Sequence, residues 1–196
     1  MRNKIREITY FICLAVLFGV NFCCNNAYSQ KSAITGQLIH NNYNIPTDDI
    51  ERLFKDKLSD ENNIVYTKVP RGLIVSIDST MFFRKGNDEL IDSAKPLLHH
   101  IADILRVLDN KCIVESNSNF ETFENSTYHS NWELSIVQAE KIVDYLIKTE
   151  KINPGRISAV GYGEMMPFKQ KNRYNENFNQ RIDFVIINYE KVELLN

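Results

Sequence analysis

Residues that could support catalysis or metal binding are few in this chain and poorly spaced. The four histidines have no metal-ligand spacing, and the adjacent His99 and His100 would point in different directions from one helix. Gly161 and Gly163 are too few for a phosphate-binding loop and are interpreted as a turn. No serine-hydrolase or zinc-protease motif occurs. The sequence therefore predicts no enzyme activity, no catalytic residue, no metal site and no cofactor.

Trp132 and Cys112 are two further residues whose side chains could bind a ligand or react. Trp132 could stack on a sugar ring, although packing beside a helix cap is favoured. Cys112 lies in an apolar, strand-like run and is predicted to be a small buried hydrophobic residue. It is the only cysteine after residue 24, so a chain cleaved beyond that point has no internal disulfide.

Composition narrows the classes of protein that remain. The 196 residues are 43% hydrophobic and 24% charged, which is ordinary for one globular domain and excludes a wholly disordered chain. The formal net charge is −2. No strongly basic surface is available to neutralise phosphates, so a nucleic-acid partner is not expected.

The first 29 residues have the layout of a secretory signal peptide. A basic start is followed by an apolar run from Ile8 to Val20 and by the small-residue site Ala27-Tyr28-Ser29. Two alternatives stay open. Cys23 or Cys24 could carry the lipid of a lipoprotein, or the apolar run could remain as a short membrane anchor. The sequence predicts export to the periplasm or the outer membrane, with membrane association possible through the N-terminus.

The rest of the chain alternates between strand-like and helix-like patterns. Residues 30–62 are predicted to be a lead-in with one short helix, and residues 63–196 a single domain. The predicted elements are helix 48–58, strands 63–69 and 73–77, helix 90–108, strand 112–115, helix 130–149, and strands 156–160 and 181–189. Pro96 should kink the helix around it or lie near its start. Loops of Asn, Ser and Thr at 116–130 and of mixed composition at 161–178 separate the later elements.

The helix after the first long loop has a defined start. Ser130 and Glu133 match a capping box, in which Glu133 reaches back to the cap residue. The order of elements predicts an α/β fold, an α+β two-layer sandwich with helices packed on one face of a mixed β-sheet.

Four segments carry a recognisable pattern: Gly72–Ile77 with Phe82, Phe83 and Gly86; Asn131–Ser135 with Ala139, Val143, Tyr145 and Leu146; Arg156–Glu164 with Pro167; and Asn179–Ile182. In this order they resemble the OmpA-like domain of outer-membrane proteins, peptidoglycan-associated lipoproteins and the flagellar stator protein MotB. The second segment is especially MotB-like. The resemblance covers residues 63–189 and implies the β-α-β-α-β core of that family.

The resemblance also implies a ligand and its site. The family binds peptidoglycan without a covalent bond and grips the diaminopimelate of the stem peptide with a Thr-Asp pair and an Arg. The matching positions here are Ser118, Asn119, Asn131, Gln138 and Arg181. Asn119 replaces the usual Asp and Gln138 the usual Arg, so neutral amides stand in place of both charges. If the loop alignment shifts, Glu121 or Glu124 could supply the carboxylate.

The implied function is therefore peptidoglycan binding in the cell envelope, weakened by the loss of two charges. Two alternatives use the same fold. In one, the ligand site has degenerated and the domain binds other envelope proteins. In the other, the chain is a MotB-like stator component, although Ile8–Cys24 holds none of the acidic residues that a proton pathway needs.

Overall fold

Helices and strands alternate in the computed structural model, which describes residues 45–58, 63–119, 127–168 and 176–188. Within these residues the elements are α1 (Thr47–Lys57), β1 (Ile64–Val69), β2 (Gly72–Asp78), α2 (Ala94–Val107), β3 (Cys112–Asn117), α3 (Asn131–Lys148), β4 (Ile157–Gly163) and β5 (Arg181–Ile187). The first 44 residues, with the predicted signal peptide and the first part of the lead-in, lie outside the described part, as do Glu121 and Glu124.

The five strands form one mixed sheet in the order β1-β2-β5-β3-β4. β3 and β4 are parallel, and the other neighbouring pairs are antiparallel. The α/β architecture predicted from the sequence is confirmed. β1 and β2 form an antiparallel hairpin. The last strand is inserted between β2 and β3, which brings the ends of β3, β4 and β5 side by side.

The core lies between the helices and one face of the sheet. Alternate residues of the central strands point into it, including Val75 on β2 and Phe184 on β5, both fully buried. Phe184 packs against Phe82 with ring centroids 6.0 Å apart. From the helices, Ile142 and Leu146 complete the contact, as the helical spacing of α3 predicts. Burying each such side chain contributes about 1.5–3 kcal/mol.

The intervening residues of the central strands point to the opposite face of the sheet. This face carries a run of polar side chains that are buried nonetheless: Ser76, Glu115, Asn117, Arg181 and Asp183. Polar groups are buried at low cost only when they pair with one another. Their pairing decides the geometry of the candidate site.

Several element boundaries differ from the sequence prediction. Helix α2 begins at Ala94, later than predicted. Pro96 is its third residue, within the first turn, where a missing N–H is tolerated, so it lies near the start of the helix, as one of the two alternatives predicted. The predicted loop at 116–130 begins later, because Ser116 and Asn117 continue β3. Gly161 and Gly163 are not a turn, since β4 runs through both.

The short helix of the predicted lead-in packs with the rest of the domain. Ile50 and Phe54 on α1 are fully buried in the core. The predicted domain start at residue 63 remains a prediction. None of the helices in the described ranges is long and apolar enough to cross a membrane.

Helix α3 begins with the predicted cap, but only half of the capping box forms. The Ser130 hydroxyl accepts a hydrogen bond from the Glu133 N–H at 3.1 Å. The Glu133 carboxylate accepts from the N–H of His129 at 2.9 Å, one residue before the cap, where a capping box uses the cap residue itself. Both acceptors hold the start of α3 beside the candidate site.

Ser130→Ala is expected to lower the free energy of unfolding by about 1 kcal/mol, because the Glu133 N–H loses its acceptor. Urea denaturation measures the change. The exposed Ser158→Ala is the control and should stay within about 0.5 kcal/mol of the parent. An equal effect of the two substitutions would contradict the capping role.

Candidate ligand-binding site

The candidate site lies where β3 and β4 end and where β5 and α3 begin. The Ser118 N–H donates to the Gly163 carbonyl at 2.9 Å, which carries the β3–β4 pairing one residue past the strand. The Ser118 hydroxyl donates to Asn131 Oδ1 at 3.1 Å. Asn131 Nδ2 donates to Glu164 Oε2 at 3.3 Å. Ser118 and Asn131, both predicted as site residues, are therefore joined directly, and Glu164 extends the network.

Close packing of β4 against α3 holds this end together. Gly163 has a φ of +57°, in the left-handed region that favours glycine. A Cβ at Gly163 would lie 2.8 Å from the Trp132 backbone nitrogen, so only glycine lets the first turn of α3 approach this closely. The approach places Asn131 against the end of β4.

Gln138 is engaged on the helix side of the sheet. Its side chain is buried, and its Oε1 accepts a hydrogen bond from the Ser116 hydroxyl at 3.1 Å. Its Nε2 donates to the Asn87 carbonyl at 2.8 Å. Gln138 therefore ties together α3, β3 and the loop before α2. Both ends of its amide have protein partners, and these partners do not include Asn119.

Asn119 lies two residues past the end of β3. Its Oδ1 is buried and has no hydrogen-bond partner among the described residues. A buried carbonyl oxygen without a donor is costly, by about 1–3 kcal/mol, and is uncommon in folded proteins. The Asn119 amide therefore keeps an unused acceptor just past the end of β3.

Arg181, the fifth predicted residue, lies on the other face of the sheet from Gln138. Its Nε donates to both carboxylate oxygens of Asp183, at 3.1 and 3.0 Å, and its Nη2 donates to the Met166 carbonyl at 3.0 Å. The guanidinium lies 5.3 Å from the ring centre of Phe168. Its Nη1 is buried without a hydrogen-bond partner among the described residues.

Asp183 accepts hydrogen bonds from several polar groups on this face. It accepts from Arg181, from Asn117 Nδ2 at 3.1 Å and from the Ser76 side chain. Burial raises the pKa of the Asp183 carboxyl, and the nearby Arg181 opposes the rise. On the neighbouring strand Glu115 pairs with Arg71 at 3.1 Å. Burial also raises the pKa of Glu115, which Arg71 offsets only in part.

Glu115→Gln is expected to change how stability depends on pH. A carboxyl whose pKa is higher in the folded state than in the unfolded chain favours folding at low pH, and this contribution is lost as the pH rises through the folded pKa. The variant should therefore gain stability relative to the parent as the pH rises from about 4, near the ordinary pKa of glutamate, to neutral pH.

Urea denaturation across that range measures the difference between variant and parent. Glu140→Gln, exposed on α3, is the control, because its carboxyl lies in water. If the parent instead becomes more stable relative to Glu115→Gln as the pH rises, the raised pKa of the Glu115 carboxyl is contradicted.

Three large apolar side chains are exposed near the site: Trp132 at 54%, Met165 at 63% and Met166 at 50%. The favoured interpretation of Trp132, packing beside the helix cap, is therefore wrong. The bulk of the indole faces solvent next to Asn131. Cys112, in contrast, is buried as predicted, and burial raises the pKa of its thiol to about 12.

Asn117, Asp183 and Ser116 were missed by sequence reasoning. A signal for the first two existed. Arg181 and Asp183 alternate with apolar residues along β5, and Glu115 and Asn117 are spaced two apart along β3, so each pair lies on one face of its strand. Ser116 carried no such signal, because its role depends on the helix that packs above it.

Comparison with known proteins agrees with this architecture. The chain matches the model of the OmpA family over residues 82–181, just over half of its 196 residues. Two curated relatives come from Bacillus subtilis strain 168. The uncharacterised protein YtxE is 33% identical over 118 residues, which cover 59% of this chain and 48% of YtxE. Motility protein B is 27% identical over 140 residues, which cover 70% of this chain and 53% of the relative. The chain thus spans about half the length of these relatives.

Solved structures share the fold at lower sequence identity. The cell wall anchor of the T6SS from Pseudomonas aeruginosa has a TM-score of 0.61 and 24% identity, covering 71% of this chain and 96% of that one. A putative MotB-like protein from Desulfovibrio vulgaris has a TM-score of 0.63 and 22% identity, covering 72% and 90%. With the mixed sheet, the helices on one face and the family match over residues 82–181, the chain belongs to the OmpA family.

Proposed function

We propose that this chain is an exported cell-envelope protein whose OmpA-like domain binds peptidoglycan without a covalent bond. The observation that carries the proposal is a set of unused hydrogen-bonding groups at the family's ligand positions. Asn119 Oδ1 is an acceptor and Arg181 Nη1 a donor, and neither has a partner among the described residues. A zwitterionic amino acid such as the diaminopimelate of a stem peptide supplies the complementary carboxylate and ammonium.

Binding through these groups is expected to be modest. The usual Asp and Arg give charge-assisted hydrogen bonds of about 1.5–3 kcal/mol, whereas neutral amides give about 1 kcal/mol. In this chain the neutral Asn119 and Gln138 replace the charged pair that the family uses. The Gln138 amide is also already hydrogen-bonded to Ser116 and Asn87. Arg181 remains the cation of the site.

Co-sedimentation of the full chain with purified peptidoglycan sacculi tests the proposal. Chitin is the control, because it is an insoluble glycan without stem peptides. We expect the protein to sediment with sacculi and not with chitin, and an excess of free stem tetrapeptide to release it. Equal sedimentation with both polymers, or with neither, would overturn stem-peptide recognition.

Export is a separate part of the proposal and has its own test. The basic start, the apolar run and Ala27-Tyr28-Ser29 support cleavage after Ser29. The intact mass of the protein from its own host should match a chain that begins at Gln30. An acylated chain that begins at Cys23 or Cys24 would instead make it a lipoprotein.

A second candidate function is supported by the surroundings of the site. The engaged Gln138 amide and the exposed Trp132, Met165 and Met166 favour an interaction module that binds another envelope protein. This candidate predicts no sedimentation with sacculi, so the same experiment separates the two.

A further inference from the structure

Asn117 and Arg181 are direct partners across the β3–β5 pairing. Paired residues of antiparallel strands project from the same face with their Cβ atoms about 5 Å apart. This face is the one opposite the helices. Asn117 is 2% exposed and Arg181 is 6% exposed, so two polar side chains are buried next to each other.

Asp183 fixes the orientation of both side chains. It lies two residues from Arg181 on the same strand and face, and its Oδ2 accepts from Arg181 Nε at 3.0 Å and from Asn117 Nδ2 at 3.1 Å. A carboxylate accepts and does not donate, so the nitrogen end of the Asn117 amide must face it. The oxygen end of the amide is then directed away from Asp183.

One acceptor and one donor remain unused after this pairing. Asn117 Oδ1 and Arg181 Nη1 are both buried without a hydrogen-bond partner among the described residues. Native proteins rarely leave such groups unpaired. Here a single cross-strand pair leaves both a hydrogen-bond donor and an acceptor unpaired. It matches a ligand that presents an N–H donor and an oxygen acceptor side by side.

We propose that Asn117 and Arg181 form the charge-recognising part of the stem-peptide site, in place of the missing Asp and Arg. Asn117 Oδ1 accepts an N–H of the ligand ammonium, and Arg181 Nη1 donates to the neighbouring carboxylate of the same amino acid. Asp183 is a positioning residue, because it contacts both side chains and not the ligand. This inference rests on the proposed peptidoglycan binding and adds residues to that site.

The segment after β4 controls access to this pair. The Met166 carbonyl accepts from Arg181, and the Phe168 ring lies over the guanidinium. Residues 164–167 are exposed, so the cover over Arg181 is a surface segment and not the core. A ligand that reaches Nη1 displaces or slides beneath this segment.

The test compares two peptides on two proteins. The probes are a stem tetrapeptide that contains diaminopimelate and the same peptide with its free side-chain ammonium acetylated. Both are titrated into the full-length parent and into Asn117→Leu by calorimetry. In the parent, acetylation should weaken binding by about tenfold. In Asn117→Leu, whose acceptor is gone, acetylation should change Kd by less than about threefold.

Asp183→Asn tests the positioning role in the same way. The neutral amide no longer forces the Asn117 nitrogen towards position 183. The ratio of the Kd values for the two peptides should therefore fall towards the ratio found for Asn117→Leu. A purely structural role would weaken both peptides equally and leave the ratio unchanged. The exposed Ser158→Ala is the control and should keep the parent ratio.

Each outcome has a distinct meaning. A folded Asn117→Leu that still loses about tenfold on acetylation overturns the role of Asn117 and leaves peptidoglycan binding intact. A parent that binds neither peptide overturns the proposed function and this inference with it. If Asn117→Leu does not fold, Asn117→Ala, which removes the amide oxygen without adding bulk, replaces it in the same comparison.

Discussion

Gly161→Ala is expected to lower the free energy of unfolding by about 3 kcal/mol or more, which is a large fraction of the roughly 5–15 kcal/mol that stabilises a typical domain. A Cβ at this position would lie 2.4 Å from the backbone nitrogen of Ile136, 2.5 Å from its Cγ1 and 2.7 Å from its Cα. Two of these atoms belong to the backbone of α3 and cannot rotate away. The helix would have to move off β4, and the start of α3 at the candidate site would move with it.

Urea denaturation followed by circular dichroism measures this effect. Ser158→Ala is the matched control, because Ser158 lies on the same strand with its side chain exposed, and it should stay within about 0.5 kcal/mol of the parent. A midpoint for Gly161→Ala equal to that of the control would mean that α3 and β4 do not touch at this glycine.

The double substitution Asn119→Asp with Gln138→Arg is expected to strengthen binding to sacculi by about tenfold or more, which is about 1.4 kcal/mol per tenfold. It places an anion at position 119 and a cation at position 138, which is the charged pair that the sequence resemblance implies. The partners of Gln138 tolerate the change, because the Ser116 hydroxyl and the Asn87 carbonyl can both accept from a guanidinium. Each single substitution should help less, since it adds one charge without its mate.

Co-sedimentation of the parent, both single variants and the double variant measures the gain. Binding by the parent should depend weakly on salt and binding by the double variant more strongly, because screening acts on charges. Since Ser116 is fully buried against Gln138, adding Ser116→Gly makes room if the arginine overpacks the site. No gain by a correctly folded double variant would place the ligand away from Asn119 and Gln138.

The fold was predictable because local patterns and tertiary contacts agree. Helical spacing on α3 placed Ile142 and Leu146 in the core, and both are fully buried. Ser130, as a typical N-cap residue, indicated where the same helix starts. Where the prediction failed, the determining contact was tertiary. β4 continues through Gly161 and Gly163 because α3 packs on them, whereas in sequence alone two glycines indicate a turn.

The candidate site was predictable only in part. The family pattern indicated Ser118 and Asn131, which are hydrogen-bonded to each other. It could not indicate that Gln138 is engaged by Ser116, because that contact depends on the packing of α3 over β3. The Asn117–Asp183 contact joins residues 66 positions apart, and only the β3–β5 register brings them together.

Peptidoglycan binding is tested most directly by titrating a diaminopimelate-containing stem tetrapeptide into the folded full chain and recording the heat. We expect saturable binding at one site, with Kd in the range from about 10 μM to 1 mM, and the same Kd for Ser158→Ala. The proposed function would be contradicted if no saturable binding is found at peptide concentrations several-fold above about 1 mM, while circular dichroism shows that the protein is folded.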